Sequence, residues 1–296
     1  MRRITRWGLL GLGLAGVTLA ACAPTQQAAT PPSSSSSATA GPTAALDPCA
    51  PENLTTVEAG KLLIGTDSPA YPPYFEDDDP TNGKGFESAV AYAIAKGLGF
   101  KPDQVTWVVV PFNSSYAPGE KAFDFDINQI SITPERADVV DFSDGYYTVN
   151  QAVVALGKSP IANAASVADL KNARLGAQVG TTSLDFITQV IQPTADVQVF
   201  NDTNDAKSAM QNGQIDGIVV DLPTAYYITA VEIPKGKIVG QFAAQEGGEQ
   251  FGMLFQKGNP LVSCVNGVLA DLKASGELQQ IQDTWLAGAS APYFKE

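Results

Sequence analysis

The chain has 296 residues and a formal net charge of −13, and it contains no histidine. An acidic surface matches nucleic acid poorly, because phosphate contacts require basic residues. The absence of histidine excludes Ser-His-Asp and Cys-His catalytic systems and the commonest zinc sites. We therefore expect no nucleic-acid partner, no metal and no cofactor, and any catalysis would have to use carboxylates or lysine.

The N-terminus has the parts of a secretion signal. Three arginines precede residue 7, an apolar run follows over residues 7–19, and Leu19-Ala20-Ala21-Cys22 comes next. The apolar run is short for a bilayer span, so residues 1–21 are predicted to be a signal peptide. Its last residues resemble the lipobox of bacterial lipoproteins, which implies a lipid on Cys22. Cleavage after Ala23, as in an ordinary secretory signal, is the alternative.

Residues 22–46 are predicted to be a disordered spacer. They consist almost entirely of Ala, Ser, Thr, Pro and Gln, with five consecutive serines from Ser33, and residues 23–45 carry no charge. Such a segment cannot bury enough apolar surface to offset its conformational entropy. No later segment has the length of a transmembrane helix, so the lipid is the one membrane attachment that we expect.

The two remaining cysteines, Cys49 and Cys264, predict a disulfide. An exported protein folds in an oxidising compartment, where an even number of cysteines favours pairing. The bridge would join the start of the folded part to a predicted helix near its end. The alternative is two unrelated buried thiols.

Apolar runs typical of strands alternate with helix-like segments from residue 57 onward. The predicted strands cover residues 61–66, 105–110, 123–127, 151–156, 174–178, 197–200, 217–220 and 251–255. This alternation predicts an α/β fold with largely parallel sheets. Residues 151–156 and 251–255 have the pattern of strands that cross between two lobes, which can close on a ligand about a hinge. The expected lobes are residues 47–152 plus 252–296, and residues 153–251.

Three polar segments follow predicted strands. Ser131 precedes Thr133, which is followed by proline and is a good start for a helix with Arg136 in its first turn. Arg136 can bind a carboxylate through two parallel hydrogen bonds. A second anion site is predicted at residues 180–183, and Asp221 ends a strand at the edge where α/β sheets hold ligands. Together these groups complement a zwitterion such as an amino acid, although an N-cap followed by an arginine is by itself typical of a capped helix with a surface charge.

Six short motifs occur in one order along the chain. They are the combined motif GTD…YPPY within residues 65–74, GFE at 85–87, ITPER at 132–136, VDFSxxYY at 140–147, GTT at 180–182 and VVD at 219–221. In this order they resemble the family 3 extracellular solute-binding proteins, which serve ABC importers of polar amino acids. The resemblance implies a two-lobed type II periplasmic-binding-protein fold, with two crossover strands and the ligand in the cleft between the lobes.

The resemblance also implies a ligand-binding set. Its members are Asp67, Tyr71, Phe112, Asn128, Ser131, Arg136, Thr181, Thr182 and Asp221. Arg136, with Ser131, Thr181 and Thr182, would bind the ligand α-carboxylate, and Asp221 would bind the α-ammonium group. Asp67 and the two aromatic residues would surround the ligand side chain. Asn128 and Gln129 stand where the family commonly has small Ser or Gly residues, which leaves the identity of the ligand open.

The implied function is capture of a free polar amino acid by a lipid-anchored monomer outside the cell membrane, and delivery to an ABC permease. Asp67 only accepts hydrogen bonds when ionised, which favours a donating ligand side chain, as in glutamine or a basic amino acid. In the alternative interpretation Asp67 merely caps a turn. A second function is a dehydratase of the cyclohexadienyl or prephenate type on the same scaffold, with Asp67 or Glu87 as general acid. A receptor sensor domain is a third, and it would require a further membrane segment or output domain.

Overall fold

The computed structural model of the protein describes residues 47–243, 248–286, 288 and 291–295. The predicted signal peptide, the predicted spacer and Cys22 lie outside the described residues. The chain from Leu46 onward forms one compact unit. Within the described part of the chain, every helix is too short or too polar to span a bilayer.

The described residues contain alternating strands and helices, as the sequence pattern predicts. The strands are β1 (Leu62–Thr66), β2 (Val105–Val109), β3 (Phe125–Asp126), β4 (Asp141–Phe142), β5 (Tyr147–Val149), β6 (Gln151–Leu156), β7 (Leu175–Gln178), β8 (Gln198–Phe200), β9 (Gly217–Asp221), β10 (Gly236–Gln241), β11 (Glu249–Phe251) and β12 (Leu254–Phe255). The α-helices are α1 (Phe86–Gly97), α2 (Phe112–Ser115), α3 (Pro134–Ala137), α4 (Thr182–Phe186), α5 (Thr203–Gln211), α6 (Leu222–Tyr227), α7 (Leu261–Ser275) and α8 (Glu277–Trp285). π-helical turns extend α4 over Ile187–Ile191 and α6 over Ile228–Glu232.

The first lobe is built on a five-stranded sheet in the order β2-β1-β3-β12-β4. β1 runs parallel to β2 and β3, whereas β12 is antiparallel to β3 and β4. All five residues of β1 are buried. A central strand covered on both faces has no exposed side, which explains why its sequence is continuously apolar.

Helices α1, α7 and α8 enclose the main core of the first lobe. The inner face of α1, formed by Phe86, Val90 and Ile94, is completely buried in it. A smaller apolar cluster of the same lobe contains Phe112, Phe123, Ile130, Val140 and Leu254. The two clusters hold the carboxyl ends of β1 and β3 in fixed positions, and the polar residues that follow these strands are positioned in turn.

The predicted disulfide between Cys49 and Cys264 is present. The two Cα atoms are 5.3 Å apart, and the bridge spans 215 residues of sequence. It attaches the segment before β1 to α7 within the first lobe. Closing so long a loop in the unfolded chain stabilises the fold by up to about 5 kcal/mol on the chain-entropy model.

The second lobe is built on a sheet in the order β10-β6-β9-β7-β8. β6 is antiparallel to β9 and β10, and β7 is parallel to β8 and β9. Two apolar clusters belong to this lobe, one around Leu175, Ile187 and Val219 and one around Met210 and Ile218. The arrangement confirms an α/β fold of two lobes. The expected largely parallel sheets are instead mixed, because β6 and β12 are antiparallel to both of their neighbours.

The connection between the lobes is a two-stranded antiparallel ribbon of β5 and β11. The expected crossing strand at residues 151–156 instead lies wholly in the second sheet as β6, and of residues 251–255 only Phe251 belongs to the ribbon. A continuous apolar run indicates a strand buried on both faces of a sheet, so it marks sheet strands better than a partly exposed ribbon.

The end of the chain also differs from the expected lobe boundary at residues 252–296. Tyr293 forms a parallel bridge with Gln241 of β10, and Lys295 forms one with Ser166. The ring of Phe294 packs against Phe242, with ring centroids 4.7 Å apart. Residues 291–295 therefore lie on the second lobe, because an apolar anchor places them there.

Candidate functional site

A cavity lies between the lobes at the carboxyl ends of β1, β3, β7 and β9. Ligands in α/β folds bind at this edge of the sheet, since the loops that follow the strands meet there. Seven of the predicted site residues line the cavity, namely Asp67, Tyr71, Phe112, Asn128, Thr181, Thr182 and Asp221. The other polar lining residues are Gln129, Gln178, Ser183, Thr203 and Thr224.

The two predicted residues that do not line the cavity, Ser131 and Arg136, lie beside it. Ser131 Oγ is 3.3 Å from Thr182 Oγ1. Arg136 Nη2 donates to the carbonyl oxygen of Gly180 at 2.8 Å. The structure thus gathers the whole predicted set at one place, although its members are spread over about 150 residues of sequence.

Arg136 is held rigidly. Thr133 caps α3 by accepting a hydrogen bond from the Arg136 backbone N–H at 3.2 Å, with proline at the first helical position. The guanidinium Nη1 donates to the carbonyl oxygen of Ser131 at 2.7 Å. Its carbon lies 5.5 Å and 4.9 Å from the ring centroids of Phe112 and Tyr116. Cation–π contact and burial fix the plane of the guanidinium, and only 8% of the residue is exposed.

Asp221 occupies the opposite side of the site. It ends β9, directly opposite Gln151 of β6. Gln151 Nε2 donates to Asp221 Oδ1 at 2.8 Å and to Glu249 Oε2 at 3.0 Å, and Ser183 Oγ donates to Gln151 Oε1 at 2.6 Å. Burial, and then the nearby Glu249 carboxylate, raise the pKa of Asp221 well above its ordinary value.

Glu249 and Gln151 are site residues that the sequence analysis missed. Glu249 Oε1 accepts hydrogen bonds from Ser131 Oγ and from Thr182 Oγ1, the latter at 2.6 Å. The sequence does mark Gln151 as a candidate site residue, because it is a polar residue at the start of an otherwise apolar strand. Glu249 carried none, because its position depends on the pairing of β11 with β5.

Asp67 forms part of the cavity wall and also orders the backbone around it. Its carboxylate accepts from the backbone N–H groups of Ser68 at 2.7 Å and Phe112 at 3.1 Å. The turn-capping interpretation therefore holds together with a position in the cavity. Among the described residues, neither the Tyr71 hydroxyl nor the Asn128 Nδ2 has a hydrogen-bond partner. Both belong to cavity-lining residues, so they are available to a ligand.

Gln129 adopts a left-handed backbone conformation with φ of 48°. Glycine enters that region without strain, whereas a glutamine there needs support from its surroundings. Here Glu87 compensates by accepting from the Gln129 backbone N–H at 2.7 Å and from its side-chain Nε2. Glu87 is fully buried and also accepts from the Tyr146 hydroxyl. Burial raises the pKa of Glu87 to about 7.

Asp126 lies behind the cavity and is also fully buried. Within the described part of the chain, neither of its carboxylate oxygens has a hydrogen-bond partner. Burial and the neighbouring Glu87 and Asp67 carboxylates raise its pKa well above the ordinary value. Among the described residues, no cluster of acidic or sulfur side chains has the form of a metal site.

The arrangement is suited to holding a small polar molecule. One guanidinium, several hydroxyls and carboxylates from two lobes surround a cavity, and a two-stranded ribbon joins the lobes. Glu87, one of the general acids considered for a dehydratase, does not line the cavity. Fold and site together define a two-lobed solute-binding protein.

Comparison with known proteins identifies the family. The model of the bacterial extracellular solute-binding proteins, family 3, matches residues 62–288. The chain belongs to this family, and it is a binding protein rather than an enzyme.

Individual relatives cover most of the chain. It is 30% identical over 236 residues to the L-cystine-binding protein TcyJ of Escherichia coli K12, covering 77% of this chain and 83% of the relative. It is 28% identical over 249 residues to the arginine-binding extracellular protein ArtP of Bacillus subtilis, covering 83% and 94%. An ancestral arginine-binding protein bound to glutamine matches with a TM-score of 0.66 and 30% identity, over 78% of this chain and all of the other.

Proposed function

We propose that the protein captures a free polar amino acid, glutamine or a basic one, and delivers it to an ABC permease. The observation that carries this proposal is the meeting of Arg136, the hydroxyls of Ser131 and Thr182, and Asp221 around one cavity between the lobes. A cation with hydroxyl donors matches a carboxylate, and a carboxylate matches an ammonium group. A carboxylate and an ammonium group are the parts that all free amino acids share.

The proposed site has three parts, one for each part of the ligand. Arg136, the hydroxyls of Ser131 and Thr182, and the backbone N–H of Thr181 bind the ligand α-carboxylate, since the Thr181 hydroxyl already donates to the carbonyl oxygen of Gln178. Asp221 binds the α-ammonium group, and that cation stabilises the ionised carboxylate, whose pKa is raised by burial and by the Glu249 carboxylate. The ligand side chain points toward Asp67, Tyr71, Phe112 and Asn128, which lie on the first lobe.

The charge around the cavity supports a ligand with a donating or cationic side chain. Three carboxylates, those of Asp67, Asp221 and Glu249, surround the site. Arg136 is the one guanidinium beside it among the described residues, and the Lys207 ammonium over the Tyr71 ring is paired with Glu232. An acidic ligand side chain would add a charge of the wrong sign. The unpaired Tyr71 hydroxyl and Asn128 amide add polar contacts for a side chain such as that of glutamine. Two of the relatives are named as binding arginine and cystine, and an ancestral arginine-binding protein has been seen with glutamine.

Capture occurs by hinge closure on the β5–β11 ribbon. Contacts between the lobes support this part of the proposal, since Arg136 reaches Gly180 and the Tyr116 hydroxyl reaches the same carbonyl oxygen at 3.4 Å. Opening the ribbon breaks these contacts and exposes the cavity. The closed, loaded form is then the one presented to the permease.

A lipid on Cys22 anchors the protein, as a monomer, to the outer face of the cell membrane. A spacer of the composition seen over residues 22–46 would let the binding lobes reach the permease, and tethering would raise their local concentration there. Cys22→Ser tests this part: it should release the protein from the membrane fraction without changing ligand affinity.

A thermal-shift screen against the twenty common amino acids tests the proposed function. A ligand that binds only the folded state raises the melting temperature by mass action. We expect an increase with glutamine or with a basic amino acid and none with glutamate or aspartate. If no amino acid raises the melting temperature at about 1 mM, a concentration that detects even weak binding, the proposal is wrong.

A further inference from the structure

We propose that the Glu249 side chain is an internal occupant of the ligand-carboxylate position, which links the two lobes until the ligand displaces it. This inference rests on the proposed function, because it takes Ser131 and Thr182 as donors to the ligand carboxylate. Glu249 is thereby a further residue of the site. It lowers the affinity for the ligand by competing for the same donors rather than by contacting the ligand.

The geometry at Glu249 is that of a bound carboxylate. Oε1 accepts from the hydroxyls of Ser131 and Thr182, which are 3.3 Å apart and belong to different lobes. Oε2 accepts from Gln151 Nε2 at 3.0 Å. A carboxylate held by two hydroxyls and an amide, in the neighbourhood of Arg136, reproduces the recognition that the site offers to an amino acid.

Competition follows from the number of donors. A hydroxyl has a single proton and donates one hydrogen bond at a time, so Ser131 and Thr182 cannot serve Glu249 and a ligand carboxylate together. Two carboxylates in adjacent positions also repel each other. The ligand therefore binds fully only after the Glu249 side chain has moved away.

Space for that movement exists next to the site. Glu249 is only half-buried, and it borders a second cavity that Gln151, Thr182 and Asp185 also line. Rotation of the Glu249 side chain into this space leaves the backbone of the ribbon in place. The exchange thus requires no change in the pairing of β11 with β5.

The same carboxylate also joins the two lobes. Ser131 is in the first lobe, Thr182 is in the second, and Glu249 is on the ribbon between them. One carboxylate oxygen accepts from both lobes, so its removal loosens the ligand-free closed form. The ligand carboxylate then takes over the same two donors.

The first arm of the test measures affinity. Dissociation constants for L-arginine and L-glutamine are compared among the wild type, Glu249→Gln and Glu135→Gln. Glu135 is an exposed carboxylate next to Arg136 in sequence, so its variant loses a nearby charge without touching the hydroxyls. We expect Glu249→Gln to bind at least about tenfold more tightly, the effect of removing one charged competitor, and Glu135→Gln to match the wild type. Equal or weaker binding by Glu249→Gln overturns the inference.

The second arm needs no ligand. Small-angle X-ray scattering of the ligand-free protein should give a larger radius of gyration for Glu249→Ala than for the wild type and for Glu135→Ala. Equal radii in all three overturn the inference, whatever the ligand proves to be. If Glu249→Ala expands but no variant binds any amino acid, the link between the lobes stands and the proposed function fails, so the two claims can be told apart.

Discussion

Arg136 Nη2 donates a hydrogen bond to the carbonyl oxygen of Gly180, 2.8 Å away, and so joins the first lobe to the loop before α4 of the second. The same guanidinium lies against the rings of Phe112 and Tyr116. Its position is thus determined by both lobes. Arg136 can therefore bind a ligand, and its hydrogen bond to Gly180 depends on closure of the cleft.

Replacing Arg136 should abolish high-affinity binding. Removing one partner of a buried, hydrogen-bonded charge pair costs about 2–5 kcal/mol, so Arg136→Ala should weaken ligand binding at least about thirtyfold. Arg136→Lys should also bind weakly, because an ammonium group lacks the planar fork of donors. The control is Arg174→Lys, a half-exposed arginine paired with Asp216. Wild-type affinity in Arg136→Ala, measured by calorimetry, would show that the carboxylate end of the site is elsewhere.

Asp221→Asn should weaken binding while stabilising the fold. The asparagine Oδ1 can still accept from Gln151, but it offers no charge to an α-ammonium group, so affinity should fall roughly tenfold or more. Burial and Glu249 raise the pKa of Asp221, which means that the ionised form is costly at pH 7. Its neutral replacement should therefore raise the free energy of unfolding at that pH. Asp196→Asn, at an exposed aspartate, is the matched control. Tighter binding or lower stability in Asp221→Asn would contradict this account.

The buried Glu87 should make stability depend on pH. Its pKa is raised from the ordinary 4.5 to about 7, so the folded state holds a proton that the unfolded state has released between these values. The contribution of this group to stability is therefore complete below about pH 4.5 and is lost as the pH rises through about 7. A shift of this size corresponds to about 3 kcal/mol.

Glu87→Gln removes this titration. Relative to the wild type, its free energy of unfolding should increase by about 3 kcal/mol between pH 4.5 and pH 8, measured by urea unfolding at a series of pH values. Glu58→Gln, at an exposed carboxylate, serves as the control. Curves for wild type and Glu87→Gln that stay parallel over this range would show that Glu87 keeps an ordinary pKa.

Loss of the disulfide should lower stability and leave binding intact. Cys49 and Cys264 join the segment before β1 to α7, and neither lines the cavity. The double variant Cys49→Ser, Cys264→Ser should lose up to about 5 kcal/mol of the free energy of unfolding. At 25 °C its ligand affinity should equal that of the wild type. A loss of affinity in a folded double variant would mean that the bridge positions the site as well.

The sequence was sufficient to predict the fold class and much of the cleft, because the informative residues follow strands. Asp67, Asn128 and Asp221 come directly after buried runs, and parallel strands bring such positions to one edge. Thr133 and the proline after it predict the start of the helix that carries Arg136. The pairing of Cys49 with Cys264 followed from their even number and the exported character of the chain.

What the sequence could not show depends on strand pairing across long distances. Glu249 meets Ser131 and Thr182 because β11 pairs with β5 in one register, and no local pattern encodes that register. The apolar pattern predicts the first crossing strand at residues 151–156, but the ribbon strand is β5, which ends at Val149. Short, partly exposed strands lack the apolar run that is typical of a sheet interior. The return of Phe294 to the second lobe is likewise a matter of packing against Phe242.

Isothermal titration calorimetry of the purified protein with glutamine, arginine, lysine and histidine tests most directly whether the cleft captures a free amino acid. We expect saturable binding of at least one of them with one site per chain, reduced by at least about thirtyfold in Arg136→Ala and unchanged in Arg174→Lys. The absence of heat with every common amino acid up to about 1 mM would contradict the account, as would binding that Arg136→Ala leaves unchanged.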